Sequence, residues 1–195
     1  MSIRLTALVL AAGKSTRMGD DNKLLLKFND KAMVSHVVDQ LLMSKVSDII
    51  VVTGNAFADV RKAITQKVEF THNPDFDMGL STSLKAGIAA LHADCDGVMV
   101  CLGDMPYISS KNYNALIDAF KKGHIIAPTS HGKVGNPLLF SRKFFKDFEK
   151  LEGDRGARGL LKKYPEAVIR VDLDTDAIFE DIDTPESYQD ILSRI

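Results

Sequence analysis

Long hydrophobic runs, cysteine and net charge are all scarce in this chain of 195 residues. No apolar stretch reaches the roughly 20 residues needed to cross a membrane as a helix. The two cysteines, Cys95 and Cys101, fit neither a zinc knuckle nor a redox C-x-x-C spacing. They read as buried, reduced thiols of a cytosolic protein. With 25 Lys+Arg against 26 Asp+Glu, the net charge is −1. That balance argues against a broad basic face holding nucleic acid or anionic lipid, because such attraction scales with the phosphates neutralised. Any phosphate bound here must be held locally. Repeats and low-complexity tracts are absent as well.

What is present is a globular composition, 45% hydrophobic and 26% charged. A chain of this length buries about 70% of the surface its unfolded form exposes. One domain over residues 1–195 therefore needs no disulfide or metal staple. The opening MSIRLTALVLAAGKS imitates a secretion signal, with Arg4 ahead of an apolar run. The run is short and flows into Lys14 and Arg17, so it reads as a buried strand of a cytoplasmic protein.

Strand-length apolar runs alternate with helix-period segments over the first two thirds, the pattern of an α/β fold with a mostly parallel sheet flanked by helices. Leu5 to Leu10, Asp48 to Val52, Val68 to Thr71 and Gly97 to Leu102 read as strands buried on both faces. Val34, Val37, Val38, Leu41 and Leu42 form one helical stripe, and Val60, Ala63 and Ile64 another. A third helix is expected from Ser81 past Leu84, Ile88 and Leu91. A fourth follows Ser109 or Ser110 as its cap and carries Leu116, Ile117 and Phe120. Later, Ile125 to Ala127 and Leu138 to Phe140 read as strands around the loop SHGKVGNP, whose glycines imply mobility or close approach. A helix from Arg142 to Lys150, a short helix ending at Lys163 and strands at Ala167 to Val171 and Ile178 to Ile182 follow. A final helix is capped by Thr184 with Pro185 in its first turn.

The most informative stretch is Leu10-Ala11-Ala12-Gly13-Lys14-Ser15-Thr16-Arg17-Met18-Gly19, followed by Lys23. It leaves the carboxyl end of a buried strand, where open α/β sheets place their ligands. Small residues at Ala11, Ala12 and Gly13 let backbone approach a ligand. Gly13, Ser15 and Thr16 offer amides and hydroxyls, while Lys14, Arg17 and Lys23 add positive charge, a combination suited to phosphate oxygens. A Walker loop is excluded, because the position that must be glycine is Leu8. The dinucleotide fingerprint G-x-G-x-x-G finds no match either.

This loop resembles the L-A-A-G-x-S-x-R-M-G signature, with a following Lys, of nucleotidyltransferases related to the molybdenum cofactor enzymes, and in particular their cytidylyltransferase branch. The resemblance implies a single Rossmann-like domain of the nucleotide-diphospho-sugar transferase type. It also implies that the loop wraps a nucleoside triphosphate, with Arg17 and Lys23 on its phosphates. Leu-Ala-Ala-Gly rather than Leu-Ala-Gly-Gly favours CTP over GTP.

Leu102-Gly103-Asp104-Met105-Pro106 follows a buried strand, and a carboxylate placed so commonly holds a divalent metal or simply caps the loop. The resembled family uses L-G-D-M-P for metal and nucleotide. Glu180-Asp181-Ile182-Asp183-Thr184-Pro185 is similar to the family's D-x-D-T-P element. On an alternating strand Asp181 and Asp183 would share a face, and the resemblance makes Asp183 the partner of Asp104 on Mg²⁺ or Mn²⁺. Asp183 also precedes the expected helix cap, which would serve as a purely structural role.

Gly79, Leu80, Ser81 and Ser83, in a segment similar to the family's G-L-x-x-S-L, are candidates for the base; the serines alternatively only cap a helix. Gly135-Asn136-Pro137 stands where cytidylyltransferases of this type have Gly-His-Pro, so a titratable side chain is replaced by a neutral polar one. Asp154-Arg155-Gly156-Ala157-Arg158 matches the family's G-D-x-G-A-R element. Arg155 and Arg158, with Asn136, are therefore candidates for gripping an acceptor phosphate, unless the arginines pair with Glu152 and Asp154 on a solvated face. His131 reads as an exposed loop residue.

Together these elements imply CMP transfer from CTP, or another NTP, to the phosphate of a molybdopterin-type acceptor, with Arg17, Lys23 and Asp104 in the catalytic roles. A molybdenum hydroxylase apo-enzyme is the implied downstream partner. The alternatives are guanylyl transfer, cytidylyl transfer to a sugar or alcohol phosphate, and a non-catalytic cofactor-binding chaperone.

Overall fold

In a computed structural model of the chain, which describes residues 3–15 and 22–192, one sheet organises nearly everything else. Its elements run β1 (Leu5–Ala11), β2 (Lys27–Phe28), β3 (Lys31–Ala32), α1 (Met33–Leu42), β4 (Asp48–Thr53), α2 (Phe57–Ala63) and β5 (Glu69–His72). Then come α3 (Leu80–Ala89), β6 (Gly97–Leu102), α4 (Ser110–Asp118), β7 (Ile125–Ser130), β8 (Lys133–Val134) and β9 (Leu138–Ser141). The order closes with α5 (Phe145–Phe148), α6 (Gly159–Lys163), β10 (Val168–Asp172) and α7 (Pro185–Leu192).

The eight-stranded sheet has the order β10-β7-β9-β6-β1-β4-β5, with β8 paired to β7, while β2 and β3 form a separate hairpin. The strands β5, β4, β1 and β6 run parallel, as do β7 and β10, and β9 is antiparallel to both β6 and β7. This is the mostly parallel α/β sheet expected from the strand-length apolar runs. Every residue of β1 is buried, because helices cover both faces. Leu5, Ala7, Val9 and Ala11 pack into one core with Val34, Val37, Val38 and Leu41 of α1. Leu8 and Leu10 pack into another with Leu84 of α3. At Gly87 a β-carbon would lie 2.4 Å from a Leu8 methyl, so α3 is pressed directly onto β1.

The cap of α4 is Ser109: its hydroxyl accepts from Asn112 N–H at 3.3 Å and Asn112 accepts from Ser109 N–H at 3.0 Å, a reciprocal capping box. Thr184 caps α7, accepting from Ser187 N–H at 3.2 Å. Both cysteines are free and buried, and burial pushes the Cys101 thiol pKa up. Within SHGKVGNP the close approach is real: a β-carbon on Gly135 would sit 2.5 Å from the Ile178 carbonyl oxygen. His131 and Gly132, with φ of 49° and 73°, form the two-residue turn joining β7 to β8, the left-handed backbone that such hairpins demand.

Three expectations need correction. Ile178 to Ile182 is not a strand: residues Asp176–Ile178 form a 3-10 turn capped by the Thr175 hydroxyl. Its backbone groups find separate partners, the Ile178 carbonyl accepting from Asn136 N–H and Ile182 N–H donating to the Asp104 carbonyl. The buried Ile178 and Ile182 mimicked alternation. The third and fourth helices stop at Ala89 and Asp118, short of Leu91 and Phe120. The helix at Arg142 begins as a 3-10 turn before α5.

Candidate active site

The carboxyl ends of β1 and β6 are neighbours in the sheet, so the chain must turn away from both at the same place. The Gly103 N–H donates to the Leu10 carbonyl at 3.1 Å, and a β-carbon on Gly103 would lie 3.0 Å from that oxygen. A cleft of about 340 Å³ opens there, lined among others by Leu10, Ala12, Gly13, Lys14, Ser15, Lys23 and Asp104. A β-carbon on Gly13 would meet nothing within 4 Å among the described residues. The space beside that backbone is open, as a closely approaching ligand requires.

The loop is tied at its base. Ser15, in the left-handed region with φ of 52°, accepts from Lys23 N–H at 3.2 Å, and Asn22 caps the turn Lys23–Leu25 by accepting from Leu24 N–H at 3.1 Å. These contacts aim Lys23 inward. Its ammonium lies 2.5 Å from Asp104 Oδ2 and also pairs with Asp183 Oδ1. Lys23 and Asp104 are largely buried, with side chains 16% and 13% exposed. Burial works against the Lys23 charge, but Asp104 and Asp183 outweigh it and raise the ammonium pKa. Asp181 stands close by, its carboxyl raised above the usual range by burial and then by the charges of Asp183 and Asp104.

The second Asp104 oxygen, Oδ1, is buried and has no hydrogen-bond partner among the described residues. A buried carboxylate oxygen left so is costly, and a hard cation satisfies it with the oxygen-rich ligand set that Mg²⁺ or Mn²⁺ prefers. Asp104 and Asp183 therefore fit a divalent metal.

Helix periodicity sorts the base candidates. Leu80 and Ser83 of α3 line the cleft with Gly79, as the spacing of three predicts. Ser81 is turned into the protein, 2% exposed, with its N–H on the Gly153 carbonyl at 3.0 Å. Ser83 is not a cap: its hydroxyl accepts from the buried Asn73 amide at 3.0 Å. Ala11, on the opposite face of β1 from Leu10, belongs to the core. Thr16 and Arg17 lie outside the described residues.

Beside the cleft is an apolar pocket of about 170 Å³, sharing Leu10, Leu80 and Leu102 with it and bounded by Asn136 and Arg158. Arg158 donates to the Val134 carbonyl. Arg155 is exposed and lines neither space, so the two arginines do not act on one ligand through this geometry. Phe76, Asp77 and Asp154 also line the cleft; the sequence singles out neither Phe76 nor Asp77, and Asp154 only as a motif member or partner of the arginines. Lys14 lies 5.5 Å from the Phe76 ring centroid, a cation–π distance. A different group, Asp48, Glu69 and His92, occupies the amino-terminal ends of β4 and β5, away from this cleft. There Arg4 already holds both Asp48 oxygens, at 2.8 and 3.0 Å.

The arrangement holds opposite charges at short range: cations that can face phosphate, and carboxylates that can face a metal. The chain is 26% identical over 96% of its length to nicotine blue oxidoreductase of Paenarthrobacter nicotinovorans, of which it covers 96%. It is 28% identical to the purine catabolism protein PucB of Bacillus subtilis, with 94% of each chain covered. The fold is shared with Rv0371c of Mycobacterium tuberculosis, solved in complex with manganese, at a TM-score of 0.84 and 26% identity over 98% of this chain and all of that one. Residues 7–168 match the MobA-like NTP transferase domain, and the chain belongs to that family of nucleotidyltransferases.

Proposed function

We propose that this chain transfers CMP from CTP to the phosphate of a molybdopterin-type acceptor and releases pyrophosphate. The observation that carries a transferase is the meeting of Lys23, Asp104 and Asp183 at the carboxyl ends of β1 and β6, beneath an open loop with room for a triphosphate. The CTP and molybdopterin assignment rests on the Leu10-Ala11-Ala12-Gly13 signature and the ordered later motifs.

An oxygen of the acceptor phosphate attacks the α-phosphorus, a new P–O bond forms, and the bond to the β-phosphate oxygen breaks with pyrophosphate leaving. Such a displacement needs positioning and charge neutralisation more than a protein nucleophile. Gly13 and Ser15 line the cleft and are assigned to the triphosphate, and Lys14 and Lys23 supply positive charge as it shifts to the leaving group. Arg17 is assigned the same task by its place in the signature. Asp104 and Asp183 would hold Mg²⁺ or Mn²⁺, which would supply neutralisation of phosphate charge. Gly79, Leu80 and Ser83 flank the cleft on the side assigned to the nucleoside, and Asn136 and Arg158 bound the pocket assigned to the acceptor. A molybdenum hydroxylase apo-enzyme is the protein expected to receive the product.

Likeness to a protein named an oxidoreductase supplies a competing reading, hydride transfer, and the carboxylate pair around Lys23 favours phosphoryl chemistry over it. Pyrophosphate release from each of the four NTPs, with molybdopterin and Mg²⁺ or Mn²⁺, tests the proposal. Release with CTP is the expected result. Release with GTP alone overturns the cytidylyl assignment, and no release with any NTP overturns the transferase.

A further inference from the structure

The ammonium of Lys23 stands between the two carboxylates assigned to the metal. It touches Asp104 Oδ2 and Asp183 Oδ1 at once, with its side chain largely buried and its backbone fixed by Ser15 and Asn22. Two carboxylates this close repel one another unless a cation sits between them. A divalent ion added beside an ammonium is repelled in turn, strongly so where water is scarce. The same three side chains therefore cannot satisfy Lys23 and a metal together in this arrangement.

We propose that Lys23 is the resident counter-ion of the metal site, holding Asp104 and Asp183 together and excluding free divalent cations until a nucleotide arrives. The triphosphate offers Lys23 a better-matched anion, and its departure from the carboxylates exposes them to the metal carried by that nucleotide. Lys23 thus couples metal binding to nucleotide binding, and a bare metal ion cannot occupy the site ahead of substrate. The orphaned Asp104 Oδ1 marks the ligand position kept in reserve. The inference rests on the nucleotidyltransferase reading, because it needs an incoming polyphosphate, but not on which base or acceptor is used.

Mn²⁺ binding followed by electron paramagnetic resonance, with no nucleotide present, tests it without any turnover. Lys23→Met is expected to bind Mn²⁺ at least about tenfold more tightly than the wild type, as removal of an adjacent positive charge predicts. Lys23→Arg, which keeps the charge, is expected to exclude Mn²⁺ as the wild type does. The double variant Lys23→Met with Asp104→Asn is expected to lose the gain. Equal Mn²⁺ affinity in Lys23→Met and wild type overturns the proposal. So does tight Mn²⁺ binding by Lys23→Arg, which keeps its counter-charge whether or not Lys23→Met folds fully. These readouts are separate from pyrophosphate release: the gain in Lys23→Met, together with no NTP turnover by the wild type, would leave the counter-ion role standing and remove the transferase.

Discussion

Gly79 and Gly153 are in backbone contact: a β-carbon on Gly79 would lie 2.5 Å from the Gly153 carbonyl carbon. Gly79 also has φ of 107°, where only glycine is unstrained. The entrance to α3, and with it Leu80 and Ser83, is thereby set against the loop that carries Arg155 and Arg158. Gly79→Ala is expected to cost about 2 kcal/mol or more and to weaken nucleotide binding. Denaturant melts and nucleotide titration check both.

Asp104→Asn keeps the shape and removes the charge that faces Lys23 and, in the proposed reaction, the metal. Turnover should fall on the order of 100-fold or more, the scale of losing a group that acts on the metal. The far-ultraviolet circular dichroism should stay unchanged. Turnover within a few fold of wild type would remove the metal role.

Arg158 bounds the apolar pocket and Arg155 does not. On the proposed assignment of that pocket, Arg158→Ala should raise the KM for the acceptor about tenfold, the scale of one charge-assisted hydrogen bond, with the KM for the NTP nearly unchanged. Arg155→Ala should leave both alone. Steady-state kinetics with each substrate varied separates them, and equal effects of the two variants would contradict the geometry.

The Arg4 guanidinium holds the Asp48 carboxyl below the usual carboxylate range through its hydrogen bonds, against a smaller effect of burial. A carboxyl with a lowered folded-state pKa stabilises the protein above its unfolded value, near 3.8, and that contribution disappears as pH falls through the folded value. Asp48→Asn should melt about 2 °C lower at neutral pH, and the two melting curves should converge toward pH 3. A gap that widened in acid would reverse the sign and refute the assignment.

Phe148 is fully buried and meets Phe140 edge to face at a centroid distance of 5.1 Å, behind the apolar pocket. Phe148→Ala should cost about 3–5 kcal/mol of stability through cavity formation. Turnover per folded molecule, measured below the melting range, should change far less than in Asp104→Asn.

The parallel strands were readable from sequence because burial on both faces leaves continuous apolar runs, as in β1 and β6. Ser109 was readable because its cap is local. Ile178 to Ile182 misled because two buried isoleucines four apart mimic a strand when their neighbours are served by a 3-10 turn and two lone hydrogen bonds. The β2–β3 hairpin left too short a run to show, and its Asn29 and Asp30, both at positive φ, carried the only clue. In the cleft, Lys23 and Asp104 were legible through compact motifs beside strand ends. Asp183 joining them required the folded sheet. Phe76 and Asp77 sit in a turn with no periodic signal, and Ser81 was misplaced because only helix phase separates it from Ser83. Arg155 and Arg158 were assigned to one phosphate through the G-D-x-G-A-R element, but that stretch precedes α6 and is not helical.

The sheet order has a consequence for assembly. β1 is flanked by β4 and β6, so its carboxyl end meets Asp104 only after roughly half the chain has been made, and Asp183 arrives last of all. No early fragment contains a complete cation cage, and partly synthesised chains would have nothing with which to sequester nucleotide or metal. Competence to bind nucleotide together with a divalent metal should, on the proposed function, therefore emerge in a single late step of refolding, together with docking of the carboxyl-terminal segment, as expected where contacts span long stretches of sequence.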